Sequence, residues 1–217
     1  MEHPKHHYWQ LRLAQVKKAL ENNNFDVFIA DSAVEAKRLV LEEIIPSVKA
    51  DSLSWGGSIT VRATGVLDAL LQGAKLSILN PDDPALSREE KLELRRRALL
   101  TDIYLTGTNA VIETGQLVNL DMFGNRVGAI TFGPKYVIIM VGRNKIMPDL
   151  ESAMLRIKEF AAPMNAMRLD MKTPCVQTGE CEECSSSMRI CNSWTITEKS
   201  FPKGRIKVVL INEDLGL

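Results

Sequence analysis

Apolar positions in the first part of the chain alternate between helical spacing and short continuous runs. Trp9, Leu13, Val16 and Leu20 recur at helical spacing, which predicts one apolar face of an α-helix. Residues 25–30 follow as a short and almost uninterrupted apolar run, which is typical of a buried strand. The pattern therefore predicts a helix followed by a strand.

The same alternation continues to about residue 105. Ser32-x-x-Glu35 and Ser87-x-x-Glu90 match the capping box, a pattern that marks the first turn of a helix. Another helix is expected from residue 58 to Gly73. Further strand-like runs lie at residues 53–55, 76–79 and 102–105. Strands separated by helices of this length predict a mainly parallel sheet that is covered by helices on both faces.

The middle of the chain departs from this rhythm. Residues 110–112 and 117–120 are short apolar runs that predict a hairpin, with Gly115 at a positive φ angle. Residues 137–141 are an uninterrupted apolar run of the buried kind, and residues 206–211 predict a late strand that returns to the sheet. We expect both inside the parallel sheet. A helix is expected between them, over residues 150–161. The predicted fold class is therefore α/β with a mainly parallel, twisted sheet.

Composition excludes several classes of function. The 27 basic residues balance the 27 acidic residues, so no overall field favours nucleic acid or an anionic membrane. No apolar run approaches the roughly 20 residues that are needed to cross a bilayer. The chain also opens without a secretory signal pattern, so a cytoplasmic location is expected.

Cysteine is confined to one short stretch near the end of the chain, with the spacing C-x5-C-x2-C-x6-C. Thiolates at such spacing can close a tetrahedral shell around zinc or hold an iron–sulfur cluster. Spacing alone does not distinguish Zn²⁺ from a [4Fe–4S] cluster, and two disulfides or unpaired thiols are the structural alternatives. A cluster would imply redox function, whereas zinc would only hold the loop together. The candidate metal ligands are Cys175, Cys181, Cys184 and Cys191.

The cysteine stretch also suggests how the chain is divided. Pro174, Gly179 and three consecutive serines at 185–187 are typical of an irregular loop. We therefore expect an α/β domain over residues 1–170, a small metal-binding loop over 171–195, and a strand within 196–217 that returns to the sheet.

Loops after strands are the expected place for a ligand, because ligands bind at the carboxyl ends of strands in α/β sheets. Gly56, Gly57 and Ser58 open a predicted helix, where free N–H groups attract a phosphate or carboxylate; glycines also make ordinary tight turns. A second, denser set of polar residues follows, although Asn and Asp also close turns. Its candidates are Thr108, Asn109, Glu113, Gly115, Asn119, Asp121, Asn125 and Arg126, with Arg143 and Lys145 as two further cations.

Several compound motifs in these segments strongly resemble the LUD-domain, or lactate-utilisation, family. They lie at residues 106–115, 119–121, 124–126, 132–134 and 142–145. The tail from Thr173-Pro-Cys175 to Arg189-Ile-Cys191-Asn192 is similar to the cysteine-bearing branch of that family. The resemblance covers roughly residues 8–217.

The resemblance implies a fold similar to ribose-phosphate isomerases, glucosamine-phosphate deaminases and CoA transferases, in a bacterial cytoplasm. It also implies participation in oxidising L-lactate to pyruvate with iron–sulfur partner subunits. The larger family members carry a long tail with two ferredoxin-type cysteine sets, which is not found here, so a complete electron-transfer chain is not implied.

These observations leave functions of different classes open. In one, the protein is a redox accessory subunit that binds a small anionic organic acid and carries a metal centre. In another, it is a transferase-like or isomerase-like enzyme with a structural zinc, because Glu113-Thr114-Gly115 resembles the glutamate-x-glycine of CoA transferases. In that case Glu113 would be the catalytic carboxylate. Alternatively, Glu113 could act as an acid, a base or a ligand-orienting group, or it could only form a structural turn. A regulatory ligand-binding module and a homo-oligomer are also compatible with the sequence.

Overall fold

The structure is a computed structural model and describes residues 4–73 and 75–217. The strands are β1 (Asp26–Ala30), β2 (Ser52–Trp55), β3 (Ser77–Ile78), β4 (Ile103–Gly107), β5 (Ala110–Ile112), β6 (Leu117–Asp121), β7 (Tyr136–Gly142), β8 (Ile146–Met147), β9 (Ser193–Thr197) and β10 (Ile206–Ile211). The α-helices are α1 (Pro4–Asn22), α2 (Ala33–Arg38), α3 (Ile59–Ala63), α4 (Val66–Gly73), α5 (Arg88–Arg97), α6 (Asn125–Thr131), α7 (Leu150–Arg156), α8 (Ala162–Arg168) and α9 (Cys175–Thr178).

Short turns of other helix types extend several of these elements. Leu39–Ile44 and Ile157–Ala161 are π-helical continuations of α2 and α7, and Ala98–Leu100 and Arg143–Lys145 are 3₁₀ turns. The predicted helix over residues 150–161 is therefore present, although its last part is π-helical.

The central sheet has six strands in the order β1-β10-β7-β4-β2-β3, and every neighbouring pair is parallel. The prediction of a mainly parallel sheet is confirmed. The predicted strands over residues 137–141 and 206–211 lie within β7 and β10, in the interior of the sheet. The continuous apolar run of β7 reflects burial on both faces, and β10 is also buried along its length.

Alternate residues of the central strands face different cores. On one side, Ile138 and Met140 of β7 pack in a cluster that also contains apolar residues of α2, α3 and α4. On the other side, Val137, Ile139 and Val141 join a cluster with α1 and α6. The predicted helices on both faces are thus present, and α1 buries the face that its spacing predicted, with Leu13, Val16 and Leu20 inside.

A second sheet has four strands in the order β8-β5-β6-β9. Strands β5 and β6 form the predicted antiparallel hairpin, and Gly115 has a φ of +90°. Val111 and Leu117 point toward the core shared with α1, whereas Ala110 and Val118 pack against α7. This sheet therefore lies between the central sheet and α7.

Some local features differ from what the sequence pattern predicts. Gly65 has a φ of +70° and separates α3 from α4, where one helix was expected. The capping box at Ser87 is complete, whereas Glu35 accepts the hydrogen bond of Asp31 N at 2.6 Å instead of that of Ser32 N. The cysteine stretch contains one helical turn, α9. Every helix within the described ranges is too short or too polar to cross a bilayer.

Candidate ligand-binding cleft and cysteine segment

A cleft of about 300 Å³ lies where β2, β4 and β7 end. Gly57 and Ser58 follow β2, Thr108 follows β4, and Lys145 follows β7. These strands are neighbours in the parallel sheet, so their carboxyl ends bring the three loops together. The cleft therefore occupies the position where α/β folds bind ligands.

The two glycines after β2 have different roles. A Cβ atom on Gly56 would lie 2.7 Å from the hydroxyl oxygen of Tyr104, so a side chain does not fit there. A Cβ atom on Gly57 would meet no atom within 4 Å, because this residue faces the open cleft. Ser58 is the N-cap of α3, and its Oγ accepts the hydrogen bond of Val61 N at 3.2 Å. Gly57 thus leaves its backbone exposed to a ligand, whereas Gly56 is needed because a side chain there would clash with Tyr104.

Arg126 on α6 is buried in the wall of the cleft and is 8% exposed. Its Nε donates to Asp121 Oδ1 at 3.2 Å, and its Nη2 donates to Asn109 Oδ1 at 2.9 Å and to Leu120 O at 3.1 Å. Its Nη1 donates to Gly107 O at 3.3 Å and also to Asn119 Oδ1. A guanidinium has five N–H donors, and protein acceptors engage all five. Arg126 therefore fixes the wall of the cleft rather than offering a free donor.

Two asparagines connect Arg126 to the second sheet. Asn119 on β6 is fully buried, and its Oδ1 accepts hydrogen bonds from Thr108 Oγ1 at 3.1 Å and from Asn109 N at 3.2 Å. Asn109 Oδ1 in turn accepts the hydrogen bond of Leu120 N at 3.0 Å. This network joins the loop after β4 to β6, so the concentration of polar residues noticed in the sequence serves largely to build the wall.

Lys145 lies at the base of the cleft and is 5% exposed. Its Nζ donates to Thr60 Oγ1 at 2.9 Å and to Thr108 O at 3.3 Å, which are both uncharged acceptors. Burial lowers the pKa of Lys145 to about 7, and the positive charges of Arg156 and Arg126 contribute to the shift. The cleft therefore has a buried amine that is balanced between its charged and neutral forms near neutral pH.

Charged residues outside the predicted set complete the rim. Arg62 forms an ion pair with Asp82 at 2.6 Å, and Asp82 also accepts the indole hydrogen bond of Trp55 at 2.7 Å. The guanidinium of Arg95 lies 5.4 Å from the centre of the Phe123 ring. Arg168 on α8 also lines the cleft. Sequence reasoning missed Arg62, Asp82, Arg95 and Arg168 because a charge on a helix or loop is usually solvated.

Two further predicted residues lie at the cleft with their polar groups turned to the protein. Asp121 Oδ2 accepts the hydrogen bond of Gly124 N at 3.1 Å, in addition to its ion pair with Arg126. Asn125 Nδ2 lies 3.4 Å from the Tyr104 hydroxyl, whose pKa is raised to about 12, chiefly by burial.

Three predicted residues lie away from the cleft. Glu113 forms an ion pair with Arg12 of α1, at the end of the β5–β6 hairpin. Gly115 is the tip of this hairpin and packs on the backbone of α1 at Ala19. Arg143 pairs with Asp214 at 2.8 Å. The structure thus separates Glu113 from Gly57 and Lys145, and the hairpin is held against α1 instead of the cleft.

The cysteine stretch, which we call the cysteine segment (residues 175–191), lies beside the cleft. All four thiols are free and half-buried. Cys191 lines the cleft, and the next residue, Asn192, donates its backbone N–H to Asp121 O at 3.0 Å. Strand β9 follows at once and pairs with β6. The cysteine segment is therefore anchored to the strand that builds the cleft wall.

Two cations accompany the thiols. Arg189 Nη1 donates to Cys184 O at 2.8 Å and its Nε donates to Cys191 O at 2.9 Å. Lys158 of the π-helical turn pairs with Glu183 at 2.5 Å. Over residues 4–73 and 75–217, however, the structure gathers no three Cys, His, Asp or Glu side chains around one metal position. The donor chemistry suits a thiolate-bound metal, but the arrangement of the thiols does not form a closed site.

Comparisons with known proteins agree with this architecture. A family model described as the LUD domain matches residues 13–211. No curated protein matches the sequence. Among solved structures, a DUF162 family protein from Deinococcus radiodurans is similar with a TM-score of 0.50 and 15% sequence identity, over 94% of this chain and 97% of that chain. At this identity, the likeness supports the fold alone.

Proposed function

The chain belongs to the LUD-domain family, and on this basis we propose that its cleft binds a small organic acid in lactate or related organic-acid utilisation. In this role it is a cytoplasmic accessory subunit that works with iron–sulfur partner subunits. The acid would be anionic at neutral pH, so its carboxylate would enter a cleft that is lined by Lys145 and several arginines.

The buried amine of Lys145 carries this proposal. A lysine that is 5% exposed and bonded only to uncharged oxygens lacks compensation for its charge. A carboxylate bound in the cleft would supply that compensation. Arg95 and Arg168 on the rim add positive charge that attracts the same kind of ligand.

Isothermal titration calorimetry with L-lactate and pyruvate tests the binding role. We expect Lys145→Met to weaken binding roughly tenfold or more, which corresponds to about 1.4 kcal/mol. Lys135→Met is the matched control, because Lys135 is a cation that pairs with Asp102 away from the cleft. Unchanged affinity in Lys145→Met, or no binding of either acid to the unaltered protein, would contradict the proposal.

We also propose that the cysteine segment binds a metal through Cys175, Cys181, Cys184 and Cys191, as a [4Fe–4S] cluster or as Zn²⁺. Support comes from four free thiols in one short stretch. Two cations, Lys158 and Arg189, lie in the same region, where both pair with Glu183. When bound, a cluster would supply one-electron chemistry and zinc would hold the segment together. Because the thiols are not gathered in the structure, binding requires the segment to rearrange, and the binding energy would order it.

Anaerobic preparation with metal analysis and a visible spectrum tests the metal site. We expect stoichiometric iron with cluster absorption under anaerobic conditions, and zinc or an empty segment after aerobic preparation. Cys181→Ser and Cys184→Ser should abolish binding and loosen the cysteine segment while the central sheet stays folded. Ser186→Ala is the control, since Ser186 lies in the same segment and supplies no thiolate. Absence of both iron and zinc from the anaerobic protein would refute the site.

A covalent CoA-transferase role for Glu113 receives no support from the geometry. The carboxylate lies 31% exposed in an ion pair with Arg12, outside the cleft. A nucleophilic carboxylate needs a desolvated position next to its substrate. Glu113→Gln should therefore leave organic-acid binding unchanged in the calorimetric assay described above.

A further inference from the structure

The surroundings of Lys145 differ from those of another buried lysine, Lys207. Both are almost fully buried, with 5% and 7% of their surface exposed. Lys207 Nζ lies 2.7 Å from the carboxylate of Asp26, so its charge is compensated. Lys145 Nζ has only the Thr60 hydroxyl and the Thr108 carbonyl, and no ion pair joins it to a carboxylate of residues 4–73 or 75–217. The charge of Lys207 is therefore paired within the protein, and that of Lys145 is not.

Positive neighbours increase this difference. The guanidinium of Arg156 donates to Asn109 O at 3.0 Å and to Asn144 O, next to Lys145 in the chain, at 3.2 Å. Arg126 lies in the adjoining wall. Burial, together with the charges of Arg156 and Arg126, lowers the pKa of Lys145 to about 7, so a substantial fraction is the neutral amine near neutral pH. A neutral amine is the form that attacks a carbonyl carbon.

Lys145 also belongs to the lining of the cleft. Lys145 lines the cleft together with Gly57 and Thr108, and Gly57 leaves open space in front of its backbone. The hydrogen bonds to Thr60 and Thr108 use two of the three N–H bonds of the protonated amine and hold Nζ at the base of the cleft. Rim cations such as Arg95 and Arg168 lie on the same cleft and suit the carboxylate of an acid.

From this geometry we infer that Lys145 forms an imine with the carbonyl carbon of a 2-oxo acid bound in the cleft. The inference rests on the proposed organic-acid binding and narrows it to acids that carry a carbonyl group next to the carboxylate. The Nζ atom attacks the carbonyl carbon, a carbon–nitrogen bond forms, and the carbonyl oxygen leaves as water with the two amine hydrogens. No oxidant or reductant is required, and hydrolysis by water reverses the step.

Reductive trapping on the unaltered full-length protein tests the imine. The protein is incubated with pyruvate and sodium cyanoborohydride, whose hydride reduces an imine to a stable secondary amine. Peptide mass spectrometry should then find Lys145 carrying the mass of the acid less one oxygen atom. L-lactate in place of pyruvate is the ligand control, because it has no carbonyl carbon to attack. Lys207 is the internal control, because it is equally buried but ion-paired and should stay unmodified.

The variant Lys145→Arg separates charge from nucleophilicity, since it keeps a cation but lacks the amine that forms an imine. We expect trapping to be lost in this variant. Calorimetry of pyruvate binding to the unaltered protein distinguishes failure of imine formation from failure of organic-acid binding. Binding without a trapped adduct at Lys145, or an adduct spread equally over exposed lysines, overturns the imine and leaves organic-acid binding intact. Absence of both binding and trapping overturns the organic-acid proposal as well.

Discussion

Arg126 and Lys145 are buried cations in the same cleft, but their hydrogen-bonding states are opposite. All five N–H groups of Arg126 donate hydrogen bonds to protein oxygens, and its guanidinium pairs with a carboxylate, so Arg126 stabilises the fold. Lys145 has two uncharged acceptors and cationic neighbours, so its charged form is disfavoured in the folded state. A residue of the first kind should lower stability when it is removed, whereas one of the second kind should raise it.

Replacing Arg126 tests the first half of this contrast. Arg126→Leu removes the cation that pairs with Asp121 and one donor from each of two asparagine oxygens, so we expect the free energy of unfolding to fall by about 3–5 kcal/mol. Arg126→Lys keeps the charge but loses the fork of donors, and a smaller loss of about 1–3 kcal/mol is expected. Urea unfolding measures both. Arg97→Ala, at an exposed position on α5, should change stability by less than about 0.5 kcal/mol. Equal stability of Arg126→Leu and the unaltered protein would exclude the structural role.

Replacing Lys145 with methionine should have an effect that depends on pH. The folded pKa, about 7, lies below the ordinary value for lysine of about 10.4. The unfolded chain therefore binds more protons between these two values, so the unaltered protein gains stability as the pH rises through this window. We expect Lys145→Met to be the more stable protein at about pH 6, with an advantage that shrinks toward about pH 10. Urea unfolding across this range provides the measurement, and a stability difference that does not vary with pH would contradict it.

At the scale of secondary-structure elements, Asp102 joins the beginnings of neighbouring strands. Its Oδ2 accepts hydrogen bonds from Asp51 N at 2.8 Å and from Ser52 N at 3.1 Å, just before β2 and at its first residue. Its backbone oxygen accepts from Tyr136 N at the start of β7. Lys135 lies 2.7 Å from Oδ1. One carboxylate residue thus fixes the alignment of β2, β4 and β7, whose opposite ends form the cleft.

The titration of Asp102 gives a second pH-dependent prediction. The Lys135 ammonium, followed by the backbone N–H of Asp51, holds the pKa of Asp102 well below its usual range. The stabilisation is therefore present above the unfolded pKa of about 3.9 and is lost as the pH falls toward the folded value. We expect Asp102→Asn to be less stable than the unaltered protein at about pH 7, with a gap that narrows below about pH 4.

Urea unfolding at both pH values checks the Asp102 prediction. Glu159→Gln provides the control, because Glu159 is an exposed carboxylate and its substitution should have little effect at either pH. If the stability difference between Asp102→Asn and the unaltered protein stays constant as the pH falls, Asp102 acts through its shape rather than its charge.

The β5–β6 hairpin depends on Gly115 in two ways. Its φ of +90° is strained for any residue with a side chain, and an added Cβ would lie 2.6 Å from the carbonyl of Ala19. We expect Gly115→Ala to lower the free energy of unfolding by about 2 kcal/mol or more. Gly57→Ala is the matched variant, since its Cβ would enter open space, and should change stability by about 0.5 kcal/mol or less. Equal stability of the two variants in chemical denaturation would contradict this difference.

Sequence periodicity predicts the elements whose residues repeat a strong local pattern. Residues 137–141 are a continuous apolar run because both faces of the strand are covered, and residues 206–211 are apolar except for Lys207. These patterns identify β7 and β10. By contrast, β8 spans only Ile146–Met147, which is too short for any pattern. Strand β9 is edge-like and half exposed, so its alternation is weak and its start lies at Ser193, within the stretch expected as loop.

At the scale of the whole molecule, the order of strands decides which loops meet. The sequence predicts that loops after strands build a site, and the placement of Gly57, Thr108 and Lys145 around one cleft follows from the neighbouring positions of β2, β4 and β7. It could not predict that the β5–β6 hairpin turns toward α1 and carries Glu113 away, because that packing depends on contacts between residues far apart in the chain. The proximity of Cys191 to the cleft likewise arises from the pairing of β9 with β6.

Strand β10 lies between β1 and β7, although it is the last strand of the described chain. The ion pair between Lys207 of β10 and Asp26 of β1 illustrates how far apart the two strands lie in sequence, because it joins residues 181 positions apart. During synthesis, β1 therefore leaves the ribosome long before the strand that pairs with it. The nascent chain must keep β1 without its strand partner, and open to chaperones or proteases, until residues 206–211 emerge. Chains stalled with residues 206–211 inside the exit tunnel should be protease-sensitive across the N-terminal segment, whereas chains extended by a linker should become resistant in a single step.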